Sequence, residues 1–379
     1  MRIAVLAETD PDESRVAATA ETVKKYIGLG AEVAVEAGAG ERSGIADEDY
    51  AQAGAKIEPE AASTVRDADI VLRVRRPLAS EIAGAKQGAA VIAIMDPYDY
   101  VSELQSLAAE GVCAFGMELM PRITRAQAMD VLSSQANLAG YRAVIDAAAE
   151  YGRAIPMMTT AAGTIPPAKI FIMGVGVAGL QAIATARRLG AIVTATDVRP
   201  ATKEQVLSLG AKFIAVEDEE FKQAETAAGY AKEMSPEYKA KQAALTASHI
   251  AAQDIVITTA LIPGRPAPVL ITADMVHSMR PGSVIVDLAV ERGGNCELAE
   301  PGKTIVTENW VKIVGHLNLA GRLAASASAL YAKNLLEFVE TLIDPQSHSL
   351  AIKWDDELVK ATLLTKESAL AHPSFQAAS

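Results

Sequence analysis

Hydrophobic residues along this chain cluster in short runs rich in Val and Ile, and longer Ala-rich stretches separate the runs. Such alternation predicts an α/β fold class, with parallel sheets covered by helices on both faces. The first series of runs predicts strands at 2–7, 32–36, 70–74, 91–95 and 112–117. The second series predicts strands at 169–173, 192–196, 212–216, 255–259, 284–289, 304–307 and 312–314. We therefore expect two Rossmann-like domains with a cleft between them.

Two long helices are predicted to join these series. The segment from Thr124 to Tyr151 contains no proline and one internal glycine, and Thr124 is a residue type that caps helices. A second long helix is expected at 317–342. Because helices of this length can bridge domains, we expect residues 1–135 plus 320–379 to form one split domain and 136–319 to form the other.

The sharpest motif is a G-x-G-x-x-G between an apolar strand and an Ala-rich helix. Gly174, Gly176 and Gly179 supply the glycines of GVGVAG, and Asp197 ends the next predicted strand, 18 residues beyond Gly179. This arrangement is typical of dinucleotide binding, with the pyrophosphate at the helix N-terminus and the acid on the adenosine ribose. The carboxylate favours NAD(H), whereas the nearby Arg199 could accommodate a 2′-phosphate. The alternative interpretation is an ordinary tight turn with a solvated acid.

The charge and composition of the chain argue against several classes of function. The net charge is −12, from 35 basic and 47 acidic side chains, which disfavours a nucleic-acid surface and a polybasic lipid anchor. No apolar run approaches the ~18 residues that span a bilayer, and acids follow the first residues too soon for a signal peptide. The two cysteines lie far apart, in keeping with a reduced compartment, and the five histidines form no HxH or HxxxH pair. No metal site is predicted.

Polar residues precede the first long helix. Gln127 and Asp130 share a helical face, Ser133 continues it, and Arg122 lies just before, close enough for Asp130 to pair with its guanidinium. A plain polar helix face is the alternative. The polar segment 218–242 is interpreted either as a flexible lid over the active site or as a solvent-exposed connection between a strand and the next helix. A small-residue loop that includes Ala260 and Leu261 follows a later strand, at the edge where ligands bind in this fold.

The blocks RITRAQAMDVLSSQANLAGYRAV and GVGVAGLQAIATARRLGA resemble the two signatures of the alanine dehydrogenase and pyridine nucleotide transhydrogenase family, and ETDPDESRVA and AGAG resemble its N-terminal part. The alanine dehydrogenase branch carries an acid–base Lys and His. Arg75 and Asp96 stand at the matching positions here, although Arg15, similar to that branch's carboxylate-binding arginine, is retained. Arginine stays charged and cannot shuttle protons as a perturbed lysine can.

The Arg122, Gln127 and Asp130 pattern resembles the NAD(H)-binding component of proton-translocating transhydrogenase. The resemblance implies that Arg122, Gln127, Asp130 and Ser133 are the catalytic residues. Gln127 would contact the nicotinamide ribose and help move the ring toward the partner's nicotinamide. Arg122 and Asp130 would hold that loop and the nicotinamide end of the cofactor, with Ser133 nearby, and Tyr230 would lie on a mobile loop. Tyr141, in the same block, would support the site. The full set of implied cofactor-binding residues is Arg122, Ile123, Thr124, Arg125, Gln127, Gly174, Gly176, Val177, Ala178, Gly179, Asp197, Val198, Arg199, Gly229, Tyr230, Gln242, Ala260 and Leu261.

The same resemblance implies a function and partners. The chain would pass hydride from NADH to NADP(H) on a partner subunit, coupled to proton translocation through a transmembrane subunit. It would be a homodimer, cytoplasmic, and bound at the inner membrane only through its partners. An NAD-dependent amino-acid dehydrogenase of the alanine type and a non-catalytic NADH-sensing subunit remain as alternatives.

Overall fold

The computed structural model describes residues 1–222, 234–262 and 264–376. These residues form two compact units. One contains residues 1–135 and those from 320 onward, and the other contains Ala136–Leu319. Both units are built on a mostly parallel sheet, which confirms the α/β fold class.

The first unit begins with a six-stranded parallel sheet and four helices. Its strands are β1 (Arg2–Val5), β2 (Glu32–Glu36), β3 (Lys56–Glu58), β4 (Ile70–Arg75), β5 (Ala90–Ile94) and β6 (Cys113–Gly116), and its first helices are α1 (Ala20–Gly28), α2 (Asp47–Gln52), α3 (Ala61–Val65) and α4 (Val101–Ala109). The strand order is β3-β2-β1-β4-β5-β6. Ile3 and Val5 enter one hydrophobic core and Ala4 and Leu6 the other, since successive side chains point to opposite faces.

The edge strand β3 was not predicted from the sequence. Only Glu58 of its three residues is buried, so it lacks the run of apolar residues that marks the other strands. The predicted strands at 2–7, 91–95 and 112–117 overlap the observed ones and differ at their ends.

The first long helix begins later than predicted. Residues Thr124–Met129 form a 3-10 helix, and α5 covers Val131–Glu150. Between them Asp130 leaves the helical conformation, with ψ at 89°, and its carboxylate accepts a hydrogen bond of 2.8 Å from the Ser133 N–H. The single helix predicted from Thr124 is therefore wrong at its start, because this side-chain cap fixes the helix N-terminus at residue 130.

The second unit contains a seven-stranded sheet. After the exposed hairpin β7 (Met158–Thr160) and β8 (Gly163–Ile165) come β9 (Lys169–Met173), β10 (Ile192–Thr196), β11 (Lys212–Phe213), β12 (Ile255–Thr258), β13 (Val284–Asp287), β14 (Thr304–Val306) and β15 (Lys312–Val314). Its helices are α6 (Val177–Arg188), α7 (Thr202–Ser208), α8 (Glu219–Lys222), α9 (Pro236–Ile250) and α10 (Ala273–Ser278). The order is β11-β10-β9-β12-β13-β15-β14, and β14 is antiparallel to β15.

The chain then returns to the first unit. The second long helix, predicted at 317–342, begins later than predicted, because a 3-10 turn at Gly321–Leu323 precedes α11 (Ala324–Thr341). After α11 come the hairpin of β16 (Ile343–Asp344) with β17 (Ser349–Leu350), the helix α12 (Glu357–Thr362), and the hairpin of β18 (Thr365–Lys366) with β19 (Ala369–Leu370). Tyr331 and Phe338 of α11 are fully buried in the core beside β4 and β6. Within the described residues, no helix combines the length and the apolar character that a membrane crossing requires.

Candidate functional site

The turn between β9 and α6 is built on the predicted glycines. Gly174 has φ +102°, a conformation that side chains other than glycine rarely adopt, and the Thr259 hydroxyl donates 3.0 Å to its carbonyl oxygen. A Cβ on Gly179 would lie 1.9 Å from that same carbonyl oxygen. These two glycines are therefore needed for the packing of the turn itself.

Gly176 differs from the other two glycines of the motif. A Cβ built on Gly176 would meet no atom within 4 Å, and no side chain caps the N-terminus of α6 there. Among the described residues, no group accepts a hydrogen bond from the backbone N–H of Val177 or Ala178 in the first turn of α6. A helix N-terminus of this kind favours an anion, both through its dipole and through its unpaired N–H groups. The turn fits the pyrophosphate of a dinucleotide.

Asp197 lies at the end of β10, beside that turn. Its carboxylate accepts hydrogen bonds from the Val175 N–H at 2.7 Å and from the Arg199 guanidinium at 2.9 and 3.0 Å. The backbone N–H of Arg199 also donates to it, at 2.9 Å. The acid is thereby held in one orientation, and the charge of Arg199 is balanced within the protein. Val198, between them, is exposed.

Among the other predicted cofactor contacts of this unit, Gln242 has internal partners. Gln242 accepts from the Val216 N–H at 2.9 Å and donates to the Thr196 hydroxyl at 3.4 Å. Leu261 is exposed, whereas the predictions for Gly229 and Tyr230 lie outside the described residues.

A buried amide that the sequence analysis missed holds the loop after β12. Asn295 accepts from the Ala260 N–H at 3.0 Å and donates to the Ala260 carbonyl at 2.9 Å and the Pro268 carbonyl at 2.8 Å. The buried Asp287 accepts from the Asn295 N–H at 2.7 Å. An acid at the end of the apolar run VIVD was the available signal, since a buried carboxylate requires donors nearby.

In the first unit, four predicted residues of the segment before α5 are exposed: Arg122, Thr124, Arg125 and Gln127. Arg122 and Gln127 are exposed, and neither side chain hydrogen-bonds to any described residue. The pair predicted between Arg122 and Asp130 is wrong. The Asp130 carboxylate instead accepts from the Ser133 N–H and from the Ser133 hydroxyl, the latter at 2.5 Å, because it caps α5.

Arg125, in the same segment, is engaged by the C-terminal part of the unit. Its guanidinium donates to the Asp356 carboxylate at 2.9 and 2.7 Å, and to Glu357 at 3.3 Å. This partner lowers the pKa of Asp356. Of the neighbouring residues, Ile123 packs against the core and Thr124 is exposed. Arg125 therefore anchors the segment in this structure.

Comparison with known proteins decides the family. A model of the alanine dehydrogenase/PNT N-terminal domain matches residues 4–139, and a model of the C-terminal domain of the same family matches residues 143–373. The chain belongs to the alanine dehydrogenase/PNT family. The resemblance seen in the two sequence blocks is thus confirmed, and the chain is a member of a family of pyridine-nucleotide oxidoreductases.

Individual relatives separate the two branches. The chain is 55% identical over 380 residues to an NAD(P) transhydrogenase alpha-subunit polypeptide of Rhodospirillum rubrum, covering 99% of both chains. A crystal structure of transhydrogenase from Sinorhizobium meliloti is 62% identical with a TM-score of 0.89, over 98% of this chain and 100% of that one. An alanine dehydrogenase of Halomonas elongata is 30% identical, over 91% of this chain and 88% of its own.

Arg75, which stands at the position matching the lysine in the resemblance described above, ends β4 at the carboxyl edge of the first unit's sheet. Glu13 accepts from Arg15 at 2.7 and 2.6 Å and from the Arg75 Nε at 2.8 Å, and Gln135 accepts from Arg15 at 2.9 Å. Burial alone would raise the pKa of Glu13, but hydrogen bonding from Arg15 and the charges of both arginines lower it to about 2. An internal carboxylate thus already binds both guanidinium groups.

Proposed function

We propose that this chain is the NAD(H)-binding subunit of a proton-translocating transhydrogenase. It passes hydride directly from NADH to NADP bound on a partner subunit, and a transmembrane partner couples the transfer to proton movement. We further propose that it acts as a homodimer on the cytoplasmic face of the inner membrane, attached through those partners. The identities to transhydrogenase alpha subunits support this assignment.

The observation that carries the proposal is the pairing of Arg75 with Glu13. Reductive amination of a 2-oxo acid requires a group that exchanges protons, and Arg75 stands where the dehydrogenase branch has its lysine. A guanidinium that is permanently charged and bound to a buried carboxylate at 2.8 Å does not serve that purpose. Hydride transfer between two nicotinamide rings needs no protein acid or base, so its catalysis consists of positioning.

The residues of the chain have distinct parts in this function. The N–H groups of Val177 and Ala178 bind the pyrophosphate, and Asp197 accepts from the adenosine ribose hydroxyls. Because Arg199 is already paired with Asp197, the site favours NAD(H) over NADP(H), whose 2′-phosphate the carboxylate would repel. The exposed Gln127 amide and Arg122 guanidinium contact the nicotinamide end. The cofactor itself supplies the hydride.

The deciding experiment mixes the purified chain with an NADP(H)-binding partner subunit and follows reduction of an acceptor at the NADP site by NADH. We expect transfer with the partner and none when either protein is left out. Absence of transfer, together with oxidation of NADH by pyruvate and ammonia, would reverse the assignment. NADH binding without transfer in any pairing would indicate a sensing subunit.

An amino-acid dehydrogenase of the alanine type is the second candidate, favoured by the retained Arg15. Its guanidinium is buried beside Glu13 and Gln135, so a substrate carboxylate would have to displace internal partners. Oxidation of NADH by this chain alone, dependent on pyruvate, would support it.

A further inference from the structure

Asn334 of α11 connects the two sides of the bend at Asp130. Its side-chain N–H donates to the Ala128 carbonyl at 2.7 Å, and its side-chain oxygen accepts from the Ser134 hydroxyl at 2.7 Å. The residue is 8% exposed, so both hydrogen bonds are largely shielded from water. One buried amide therefore joins the 3-10 segment 124–129 to the first turn of α5.

This amide satisfies a backbone group that the helices leave unpaired. The 3-10 helix ends at Asp130 and α5 begins directly after it. No backbone N–H of either helix therefore donates to the Ala128 carbonyl. Asn334 supplies that donor. The Ala128 carbonyl only accepts, so it fixes the amide N–H end toward itself. The amide oxygen is then left to accept from the Ser134 hydroxyl.

We call the two hydrogen bonds of Asn334, to the Ala128 carbonyl and from the Ser134 hydroxyl, the Asn334 clamp. The residues around Gln127 show which stretch of backbone the clamp holds. Ala126 and Met129 are buried in the core, whereas Gln127 and Ala128, between them, are exposed. Two residues before Gln127, the Arg125 guanidinium is held by its bidentate pair with Asp356. The exposed Gln127 is consequently presented from a short stretch of backbone that is fixed on both sides.

We propose that Asn334 is a positioning residue for hydride transfer, acting through the backbone that carries Gln127. This inference rests on the proposed function, in which Gln127 acts at the nicotinamide ribose. By holding the Ala128 carbonyl, Asn334 keeps the Gln127 amide in one direction without touching the cofactor. Its loss affects the transfer step more than the binding of NADH, because the pyrophosphate and adenosine contacts lie on other residues.

The sharpest variant is Asn334→Asp, which keeps the size of the side chain and its acceptor for Ser134. It replaces the donor to Ala128 by a carboxylate oxygen that repels the carbonyl. We expect the single-turnover rate of hydride transfer to fall about 10- to 100-fold, as misplaced reacting groups do, with NADH affinity within about threefold of the wild type. Lys333→Gln, on the exposed side of the same helix, changes the net charge equally and should alter neither quantity.

A second measurement is independent of hydride transfer. Tryptic cleavage after Arg122 and Arg125 reports release of the segment, and we expect it to accelerate in Asn334→Asp and, to a smaller extent, in Ser134→Ala. If Asn334→Asp does not fold, Ser134→Ala carries the test, because it leaves the donor to Ala128 in place and removes the hydroxyl that holds the other end of the amide. That hydroxyl also accepts from the Gln135 amide at 3.2 Å, so the effect of the variant is read on cleavage at Arg122 and Arg125.

The outcomes distinguish this inference from the function on which it rests. A wild-type chain that transfers no hydride refutes the proposed function, while faster cleavage of the variants would still establish the clamp. An active wild type together with a folded Asn334→Asp variant of equal transfer rate refutes the positioning role. Equal losses in NADH affinity and in transfer rate refute it also, since they indicate uniform binding.

Discussion

Gly140 of α5 lies directly against Ala178 in the first turn of α6. A Cβ built on Gly140 would stand 2.0 Å from the Ala178 carbonyl oxygen and 2.9 Å from its Cα. These are backbone atoms of the turn proposed to bind the pyrophosphate, so they cannot move aside as a flexible side chain would. The one glycine inside α5 is therefore required by a contact and not by the helix.

Replacing Gly140 by Ala should consequently damage both stability and NADH binding. Overpacking of this kind costs about 1 to 3 kcal/mol, which urea unfolding would detect. Displacement of the Val177 and Ala178 N–H groups should weaken NADH binding about tenfold or more, measured by equilibrium titration. Gly28→Ala is the control, since a Cβ there meets nothing within 4 Å, and it should stabilise the chain by up to about 1 kcal/mol. A wild-type unfolding midpoint for Gly140→Ala would contradict the contact.

Gly176→Ala should separate ligand binding from folding. A Cβ at Gly176 touches no protein atom, so we expect the free energy of unfolding to stay within about 0.5 kcal/mol of the wild type. It fills the space in which the pyrophosphate would lie, and NADH affinity should fall about tenfold or more as its hydrogen bonds to the turn lengthen. Gly152→Ala, equally unobstructed but outside the turn, should leave NADH affinity unchanged. Full affinity in Gly176→Ala would place the pyrophosphate elsewhere.

Gln127→Asn tests the role of the exposed amide. Shortening the side chain by one methylene keeps its chemistry and withdraws it from the nicotinamide ribose. The rate of hydride transfer should fall about tenfold or more while NADH affinity changes little, because only positioning is lost. Gln105→Asn, also exposed but on α4, should behave as the wild type. Parallel losses of rate and affinity would show that Gln127 contributes uniform binding.

Asp197→Asn tests the choice of cofactor. The variant loses the charge that repels a 2′-phosphate, and it releases the Arg199 guanidinium that Asp197 now binds. Its NADH affinity should fall about tenfold or more, while NADPH affinity falls less or rises, measured as two dissociation constants. Glu217→Gln, which removes a charge from the exposed pair with Lys203, is the matched control. An unchanged ratio of the two constants would exclude Asp197 as the selecting residue.

Glu118 makes the stability of the first unit depend on pH. Its Oε1 accepts from the N–H groups of Met95 and Asp96, while Oε2 is buried without a partner among the described residues. Burial raises the pKa of Glu118 from 4.5 to about 7, and the charge of Asp96 adds to the rise. The folded state therefore holds the proton more tightly than the unfolded state. The resulting stabilisation is complete below pH 4.5 and is lost as the pH rises through 7.

Glu118→Gln removes this dependence, because an amide remains neutral throughout. Between about pH 5 and about pH 8 the free energy of unfolding of the variant should rise by roughly 2 to 3 kcal/mol relative to the wild type. Urea unfolding at the two values measures it, with the exposed Glu337→Gln as a control. A difference that does not change with pH would show that Glu118 is already ionised at the lower value.

Local patterns predicted the sheets well and the helix boundaries less well. The strands at 169–173 and 192–196 match their predicted ranges, because each is a short apolar run bounded by polar or small residues. Strand β3 was missed since its pairing with β2, and not its own hydrophobicity, makes it a strand. The start of α5 was misplaced because Thr124 and Asp130 can both cap a helix, and the sequence does not show which one does.

The sequence by itself determined the α/β class, the dinucleotide turn at Gly174, Gly176 and Gly179, and the family, since these depend on residue types at short spacings. Only the tertiary structure decided which partner each polar group takes. In the structure Asp130 hydrogen-bonds to Ser133, Arg125 to Asp356, and Asn334 to the Ala128 carbonyl. The last two pairs join residues 231 and 206 positions apart. Burial makes an unpaired polar group costly, so folding selects such partners in a way that spacing along the chain does not encode.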